Sequence, residues 1–251
     1  MRYIDDTPEL GDFTKKYPSK PATQAELNCE KGLIIEIEGI DGSGKSTQAQ
    51  LLSKNLSEKW PCSKINFIHS DFMRVPLLKA KWENVDNYTF YYLYMMGLSY
   101  TYFNIVVPKL SNNEIVILDR YLETINIKGQ EVLKQVNDIN LKLFRKPDIS
   151  ILIDSDPQVA LERKKKKGHL SYWECGGNYL KEYDLQNEYN LDWYSKGFIQ
   201  YQTKRRNYLV NRAKSKNSLV INGEESVSKV QNSIFKYCLK NMENKYVDRQ
   251  L

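Results

Sequence analysis

The sequence predicts a three-layer α/β/α sandwich built on a parallel sheet. Five short apolar runs rich in isoleucine or valine recur along the chain, and longer segments with helical spacing separate them. The runs are apolar on both faces, which is typical of parallel strands that are covered by helices on each side. A right-handed crossover between parallel strands lays its helix against the sheet. The runs are residues 33–38, 64–69, 114–118, 149–153 and 218–221.

Length and composition indicate one main domain. The chain has 251 residues, of which 41% are hydrophobic, and this is enough for one substantial core. We expect an N-terminal extension over residues 1–30, which hold three prolines and no sustained apolar period, a domain over 31–242, and a tail over 243–251. No run approaches the length of a membrane helix and the start lacks a signal-peptide pattern, so we expect a soluble, cytoplasmic protein without a membrane partner.

The cysteine content and the net charge of the chain indicate which metals and ligands it is expected to bind. Four scattered cysteines without a CxxC pair, and only two histidines, argue for reduced thiols and against a structural zinc site. The net charge of +6 favours phosphate-bearing partners without selecting nucleic acid, which we do not expect as a partner. Much of the excess positive charge lies at residues 163–167 and 204–206. The alternative to phosphate binding there is a basic helix face exposed to solvent.

The first apolar run leads into a phosphate-binding loop. Residues 39–46, GIDGSGKS, fit the pattern GxxxxGK[ST] and lie between a predicted strand and a predicted helix. Glycines allow a tight turn that aims backbone N–H groups inward, so the loop and the helix N-terminus form an anion site. Lys45 is expected to reach the outer phosphates, and the Ser46 hydroxyl to hold magnesium. The alternative is a glycine-rich turn. The predicted donor-binding residues of the loop are Gly39, Asp41, Gly42, Ser43, Gly44, Lys45, Ser46 and Thr47.

Two charged residues end the third apolar run, in EIVILDRY (114–121). Ligands of open parallel sheets bind beyond the carboxyl ends of the strands, so Asp119 and Arg120 are expected beside the phosphate loop. A carboxylate there orients magnesium directly or through water, and an arginine grips a phosphate with two hydrogen bonds. The alternative is an exposed ion pair.

A candidate lid follows the fourth run. Pro157 opens a helix whose far end carries Arg163 and four lysines, and the glycine-bearing segment GHLSYWECGGNY follows it. A basic helix end that feeds such a loop, over about 163–180, can close over the donor phosphates, exclude water and supply cations. A solvated basic face is the alternative.

Two further helices are predicted. Val227, Val230, Ile234 and Cys238 fall on one face of a helix that starts near Glu224. The aromatic-rich segment 88–103 could stack bases, but aromatic residues spread around a helix favour core and dimer packing.

These pieces, in this order, resemble the thymidylate kinase family of nucleoside monophosphate kinases over residues 31–242. The resemblance rests on GIDGSGKSTQ (39–48), VILDRY (116–121), PDISILIDSDPQVALER (147–163) and YLVNRAKSKNSLVING (208–223). It implies a five-stranded sheet of the P-loop kinase type, ATP with Mg²⁺ as donor, a nucleotide acceptor with dTMP as the leading candidate, and a homodimer packed through helices.

The resemblance also implies residue roles. Because position 42 is glycine and not arginine, the loop resembles members whose catalytic arginine comes from the lid, which indicates Arg163. Lys45, Arg120 and Arg163 would share the transferring phosphoryl group, while Asp41 and Asp119 hold the metal or its waters. An anionic acceptor phosphate needs alignment and charge neutralisation more than a base. Asn222 and Gly223 would lie near the adenine.

The acceptor region departs from the family pattern. LETINIKGQ follows the DRY triplet, where the family has small residues and an alanine-tyrosine pair. The segment TFYYLYMMGLSYTYF corresponds to the long helix that contributes an arginine to the base in the family, but it contains no arginine. HSDFMRVP replaces the arginine-glutamate-proline-glycine loop after the second strand. The predicted acceptor-binding residues are Asp71, Arg74 on the acceptor phosphate, Arg120 and Tyr121.

Two other functions stay open. Asp71 and Trp82 loosely resemble the carboxylate and tryptophan of deoxynucleoside kinases, which phosphorylate a sugar hydroxyl and benefit from a positioned base. A kinase of a modified nucleotide with a hydroxyl acceptor is a more distant version of the same alternative. A non-catalytic nucleotide-binding protein is the more distant alternative, although a second phosphate grip at Arg120 has no evident use there.

Overall fold

The computed structural model of the protein describes residues 31–66, 71–83, 85–133, 138–168, 170–176 and 191–246. The predicted extension over 1–30 lies outside these ranges, as do residues 169 and 177–180 of the predicted lid and 247–251 of the predicted tail. None of the helices within the described ranges has the length and apolar character that a membrane crossing needs.

Five parallel strands form the central sheet, in the order β2-β3-β1-β4-β5. The predicted strands are confirmed within one or two residues, except that β2 lies earlier than the predicted run at 64–69, of which 67–69 are outside the described residues. The strands are β1 (Leu33–Glu38), β2 (Cys62–Ile65), β3 (Ile115–Asp119), β4 (Ile149–Asp154) and β5 (Leu219–Asn222).

Helices connect successive strands and cover the sheet. A π-helical turn, Tyr102–Val106, joins the third helix to the fourth, and short 3-10 helices occupy Asp138–Leu143 and Tyr172–Cys175. The α-helices in the described ranges are α1 (Lys45–Leu56), α2 (Asp71–Trp82), α3 (Asn87–Thr101), α4 (Val107–Ser111), α5 (Leu122–Leu133), α6 (Pro157–Lys166), α7 (Leu191–Ser215) and α8 (Val227–Tyr246).

Alternate residues of each strand enter different cores, which produces the three layers. Leu33, Ile35 and Ile37 of β1 pack with buried residues of α1 and α8. Ile34, between them, faces the opposite side and packs with residues of α3, α4 and α5. Side chains alternate between the two faces of a strand, so a strand with apolar residues on both faces requires helices on both sides. The predicted α/β/α sandwich is confirmed.

The last helix is confirmed, but its first apolar residue is misassigned. α8 buries Val230, Ile234 and Cys238 against the sheet, as predicted. Val227 is 53% exposed, because it is the first residue of the helix and lies beyond the core that covers the later turns.

A second, smaller core joins α2 and α3 to the segment after α6. Met73, Leu77 and Ala80 of α2 pack against Phe90 of α3, with Trp173 partly buried beside them. The aromatic-rich segment contributes to the main core as well, since Tyr91 and Tyr102 are buried there. The prediction that these aromatic residues serve packing is therefore confirmed for the buried ones.

Candidate active site

The phosphate loop connects the end of β1 to the first turn of α1. Gly44 caps the helix with a φ of 101° and without a side-chain hydrogen bond to the helix N-terminus, so the terminal N–H groups face no capping side chain. Gly42 has a φ of 85°, and a Cβ there would lie 2.6 Å from the Ala160 carbonyl oxygen of α6. Only glycine adopts this conformation without strain, and any side chain would collide with α6.

Lys45 lies inside this loop. Its side chain is 5% exposed and its Nζ donates a hydrogen bond to the Ile40 carbonyl oxygen at 2.5 Å. Burial lowers the pKa of Lys45 from 10.5 to about 7, and the nearby charge of Arg120 adds to the effect. The loop therefore holds a cation at a cost that an anionic ligand would relieve.

Asp41 is the centre of an ion-pair network. Its carboxylate contacts the Arg120 guanidinium on one side and lies 3.0 Å from Arg205 Nη1 on the other. Gln202 accepts from the Asp41 backbone N–H at 3.1 Å and donates to the Asp41 carboxylate at 3.0 Å. Burial alone would raise the pKa of Asp41, but the charges of Arg120 and Arg205 outweigh it and hold the pKa well below its usual range.

The backbone of Arg120 is strained and firmly held. Its φ is 75°, in the left-handed region that non-glycine residues rarely adopt, and its N–H donates to the Ile37 carbonyl oxygen at 3.2 Å. The carboxylate of Glu38 accepts hydrogen bonds from the Tyr121 N–H at 2.8 Å and from Thr124. A buried strand glutamate thus fixes the turn that directs Arg120 toward the loop.

Asp119 has the properties of a cation ligand. It is 1% exposed, and neither carboxylate oxygen has a hydrogen-bond partner among the described residues. The Ser43 hydroxyl, also buried, shares this lack of a partner within those ranges. Buried polar atoms are almost always satisfied, so the Asp119 oxygens fit a bound cation with its waters, and the Ser43 hydroxyl fits a phosphate group to which it would donate. Magnesium prefers oxygen ligands and keeps several waters, which suits a site with few protein ligands.

One cleft of about 860 Å³ is lined by most of these groups, although Asp119 and Gly39 of the predicted site are not among its lining residues. The phosphate loop forms one wall, with Arg120 and Arg205 beside it, and Gly223 and Arg163 lie at another part of the lining. Residues of α2, α3, α5, α6 and of the segment after α6 complete it, among them Leu78, Lys81, Phe90, Tyr94, Lys128, Lys164, Trp173 and Glu174.

Gln202 connects the segment after α6 to the phosphate loop. Its Nε2 donates to the Glu174 carbonyl oxygen at 2.8 Å as well as to Asp41. Glu174 also forms an ion pair with Lys164 at 2.6 Å, and the neighbouring ring of Trp173 stacks on Phe90 with centroids 4.3 Å apart. The described part of the predicted lid is therefore linked to the phosphate loop through Gln202 and packed directly against α3.

The cleft combines the phosphate loop, Arg120 at the end of β3 and the basic residues Arg163 and Lys164 of the predicted lid. A sequence model described as thymidylate kinase matches residues 37–234. The chain belongs to the thymidylate kinase family. It is a nucleoside monophosphate kinase, as the sequence predicted.

Curated members of the family align over much of the chain. The chain is 29% identical over 228 residues to the probable thymidylate kinase 2 of Saccharolobus solfataricus, and the aligned region covers 88% of this chain and 100% of that protein. It is 31% identical over 146 residues to the probable thymidylate kinase of Archaeoglobus fulgidus, and this alignment covers 57% of this chain and 74% of that protein.

The structure brings most of the predicted donor-site residues of this thymidylate kinase family member to the cleft. Asp41, Ser46, Thr47 and Arg120 line it together with Lys45. Arg163 lines it too, but its Nη2 donates to the Gly223 carbonyl oxygen at 2.8 Å, so the structure places it beside the residue predicted near the adenine. Asn222 does not line the cleft, because its side chain accepts from the Glu224 N–H at 2.9 Å.

The predicted acceptor residues are brought together less well. Tyr121 is 1% exposed within the core between α3 and α5, and its hydroxyl donates to the Arg145 carbonyl oxygen at 2.9 Å. Tyr121 therefore does not line the cleft, since the turn that aims Arg120 outward directs the next side chain inward. The side chain of Arg74 is exposed on α2 and does not line the cleft either. The side chain of Asp71 lies outside what the structure describes.

Two residues of α7 were missed. Gln202 and Arg205 are 0% and 6% exposed, so a solvated face is the wrong interpretation for Arg205 within the cluster at 204–206. Their neighbours on the same helix face, Phe198 and Leu209, are buried and apolar. Two polar residues at helical spacing within an apolar face were the available signal, because buried polar groups need partners.

Proposed function

We propose that this member of the thymidylate kinase family transfers the terminal phosphoryl group of ATP to dTMP, giving dTDP and ADP. The observation that carries the proposal is that Lys45 in the phosphate loop and Arg120 at the end of β3 line one cleft, with Asp41 paired to Arg120 between them. Two phosphorylated ligands that meet there would be aligned for in-line transfer without a long-range rearrangement.

The donor phosphates fit the loop. The N–H groups at the N-terminus of α1 and those of the loop other than Asp41 and Ser43, which donate to Gln202 and Ile40, would bind them. Ser46 and Thr47 line the same cleft. Lys45 would exchange its contact with the Ile40 carbonyl for the outer phosphates, which restores its full charge. The adenine would lie toward Gly223, whose carbonyl oxygen already accepts a hydrogen bond from Arg163.

Asp119 and Ser46 are the residues that would hold Mg²⁺. The orphaned carboxylate of Asp119 and the hydroxyl of Ser46 at the loop provide oxygen ligands of the kind this ion takes. When bound, Mg²⁺ neutralises charge on the donor phosphates and orients them. Asp41 is already paired with two arginines, so its role in this proposal is to hold Arg120 and Arg205 in place.

The acceptor phosphate needs cations and not a base. It is anionic at neutral pH, so alignment by Arg120 and charge neutralisation by Lys45 and Arg163 suffice for its attack on the donor. The pyrimidine ring would lie along the aromatic wall of Phe90, Tyr94 and Trp173, which lines the same cleft.

The test is ADP release from Mg·ATP in the presence of each deoxynucleoside monophosphate and each nucleoside. We expect dTMP to give the highest kcat/KM, EDTA to abolish turnover, and Lys45→Met to lower it by at least about 10²-fold. Faster turnover of thymidine than of dTMP would show a hydroxyl acceptor, and Asp71→Asn would then lower it strongly. Release that no acceptor stimulates would indicate a nucleotide-binding protein.

We also propose a cytoplasmic homodimer. Exposed apolar side chains cluster on α2 and α3, and Trp82, Tyr88 and Tyr92 are 89%, 55% and 61% exposed. Such side chains are enriched at protein interfaces. Light scattering coupled to gel filtration should give twice the monomer mass of 29.5 kDa, and a mass of one chain at micromolar concentration would contradict the dimer.

A further inference from the structure

The cations of the cleft have protein partners, with one exception among the partly or fully buried ones that the structure describes. Arg120 and Arg205 pair with Asp41, and Lys164 pairs with Glu174. Three others donate hydrogen bonds: Lys45 to the Ile40 carbonyl, Lys128 to Tyr201 and Glu131, and Arg163 to the Gly223 carbonyl.

Lys81 is the exception. It lies in the last turn of α2, lines the cleft, and is partly buried, yet it has no hydrogen bond or ion pair to any residue in the described ranges. Burial lowers the pKa of Lys81, against the attraction of Glu174 and Asp41. Both of those carboxylates are already paired with other cations. A partly buried ammonium without a partner costs free energy that an anionic ligand would recover.

The position of Lys81 within α2 distinguishes it from the other basic residues of the helix. Leu78 lies one turn earlier and also lines the cleft, so the two share a face. Leu77 and Ala80 face the small core with Phe90, which holds α2 against the aromatic wall. Arg74 and Lys79 are exposed and do not line the cleft, and Lys79 is 3.8 Å from Glu83 in an exposed pair.

We propose that Lys81 binds the phosphate of the acceptor nucleotide, from the side of the cleft formed by α2, in the role that the sequence suggested for Arg74. The inference rests on the proposed function, because it assumes a phosphorylated acceptor. An acceptor whose base lies along Phe90 and Trp173 has its phosphate near the cations of the same cleft. The compact ammonium of lysine would add charge there without the two-point geometry that Arg120 provides.

The experiment compares Lys81→Met with Lys79→Met, which removes an exposed lysine of the same helix. Titration calorimetry measures binding of dTMP and of thymidine, which lacks the phosphate, and steady-state kinetics measures KM for dTMP and for ATP. For Lys81→Met we expect dTMP binding to weaken and its KM to rise by about tenfold to a hundredfold. Thymidine binding and the KM for ATP should change by less than about twofold, and Lys79→Met should match the wild-type protein on every measure. Lys81→Arg should recover most of the affinity for dTMP.

Three outcomes would overturn the assignment. Unchanged dTMP affinity in Lys81→Met would show that the ammonium does not contact the phosphate. An equal loss for dTMP and thymidine would show that Lys81 acts on the nucleoside or on the shape of α2. A rise in the KM for ATP alone would place Lys81 at the donor. If the wild-type protein does not use dTMP, the proposed acceptor is wrong, and the same comparison with the best monophosphate of the panel and its nucleoside still decides the role of Lys81.

Discussion

Replacing Lys45 with methionine should stabilise the protein in the absence of nucleotide while it removes activity. The Lys45 side chain is 5% exposed, and burial lowers its pKa from 10.5 to about 7. Below pH 7 the lysine is protonated in both the folded and the unfolded chain, so the buried charge destabilises the folded state to the full extent. As pH rises from 7 to 10.5 the folded lysine loses its proton first, so the penalty declines and stability rises.

The magnitude follows from that interval. This pKa difference means that the buried charge of Lys45 lowers the free energy of unfolding by about 5 kcal/mol well below pH 7, by about 4 kcal/mol at pH 7 and by about 2 kcal/mol at pH 9. Methionine removes the charge but leaves the Ile40 carbonyl oxygen without its hydrogen bond, which costs about 1–2 kcal/mol. We therefore expect Lys45→Met to be more stable than wild type by about 2–3 kcal/mol at pH 7, with little difference left at pH 9.

Urea unfolding without nucleotide, monitored by tryptophan fluorescence, measures the free energy of unfolding of Lys45→Met and of the wild-type protein at pH 7 and at pH 9. Adding Mg·ATP should then stabilise the wild-type protein and leave Lys45→Met unchanged, because the phosphates bind the charged lysine. The reasoning would be refuted if Lys45→Met were less stable than wild type at pH 7, or if the difference between them did not depend on pH.

Three further substitutions test the site. Arg205→Met removes one cation from buried Asp41 while Arg120 and Gln202 remain, so we expect a loss of about 2–4 kcal/mol in urea unfolding, and unchanged stability would contradict it. Asp119→Asn should lower kcat by at least about 10²-fold and raise the Mg²⁺ concentration needed for half-maximal rate; an unaltered Mg²⁺ dependence would exclude it as a ligand. Gly42→Ala, with its left-handed φ of 85°, should weaken ATP binding in calorimetry and lower the melting temperature, whereas wild-type values would show that the loop tolerates a side chain.

The fold and the donor half of the site were predictable from sequence because their signals are local. Strand runs such as Leu33–Glu38 carry apolar residues on both faces, and this pattern requires a helix layer on each face of the sheet. The phosphate loop follows from consecutive residues, since glycines at 42 and 44 adopt the left-handed conformations that the turn needs. Asp119 and Arg120 follow from the rule that parallel strands end at the same edge of a sheet.

The acceptor half depends on which face of each helix meets the cleft, and the sequence pattern does not fix that face. Tyr121 follows Arg120 directly, yet the strained turn at Arg120 aims the arginine at Asp41 and the tyrosine into the core. On α2 the sequence predicts Arg74 for the acceptor phosphate, but its side chain is exposed, whereas Lys81, two turns later, lines the cleft. A rotation of one residue moves a helical side chain by about 100°, so spacing alone does not select the inward residue.

The sequence by itself determined the sheet, its two helical layers, the phosphate loop and the strand end beside it, because each is encoded by neighbouring residues. Only the tertiary structure decided that Gln202 and Arg205, more than 150 positions from Asp41, complete its network, and that Lys81 faces the cleft without a protein partner among the described residues. Those choices depend on the packing of distant helices, since a charged side chain becomes part of a site only when other elements bury it beside a matching charge.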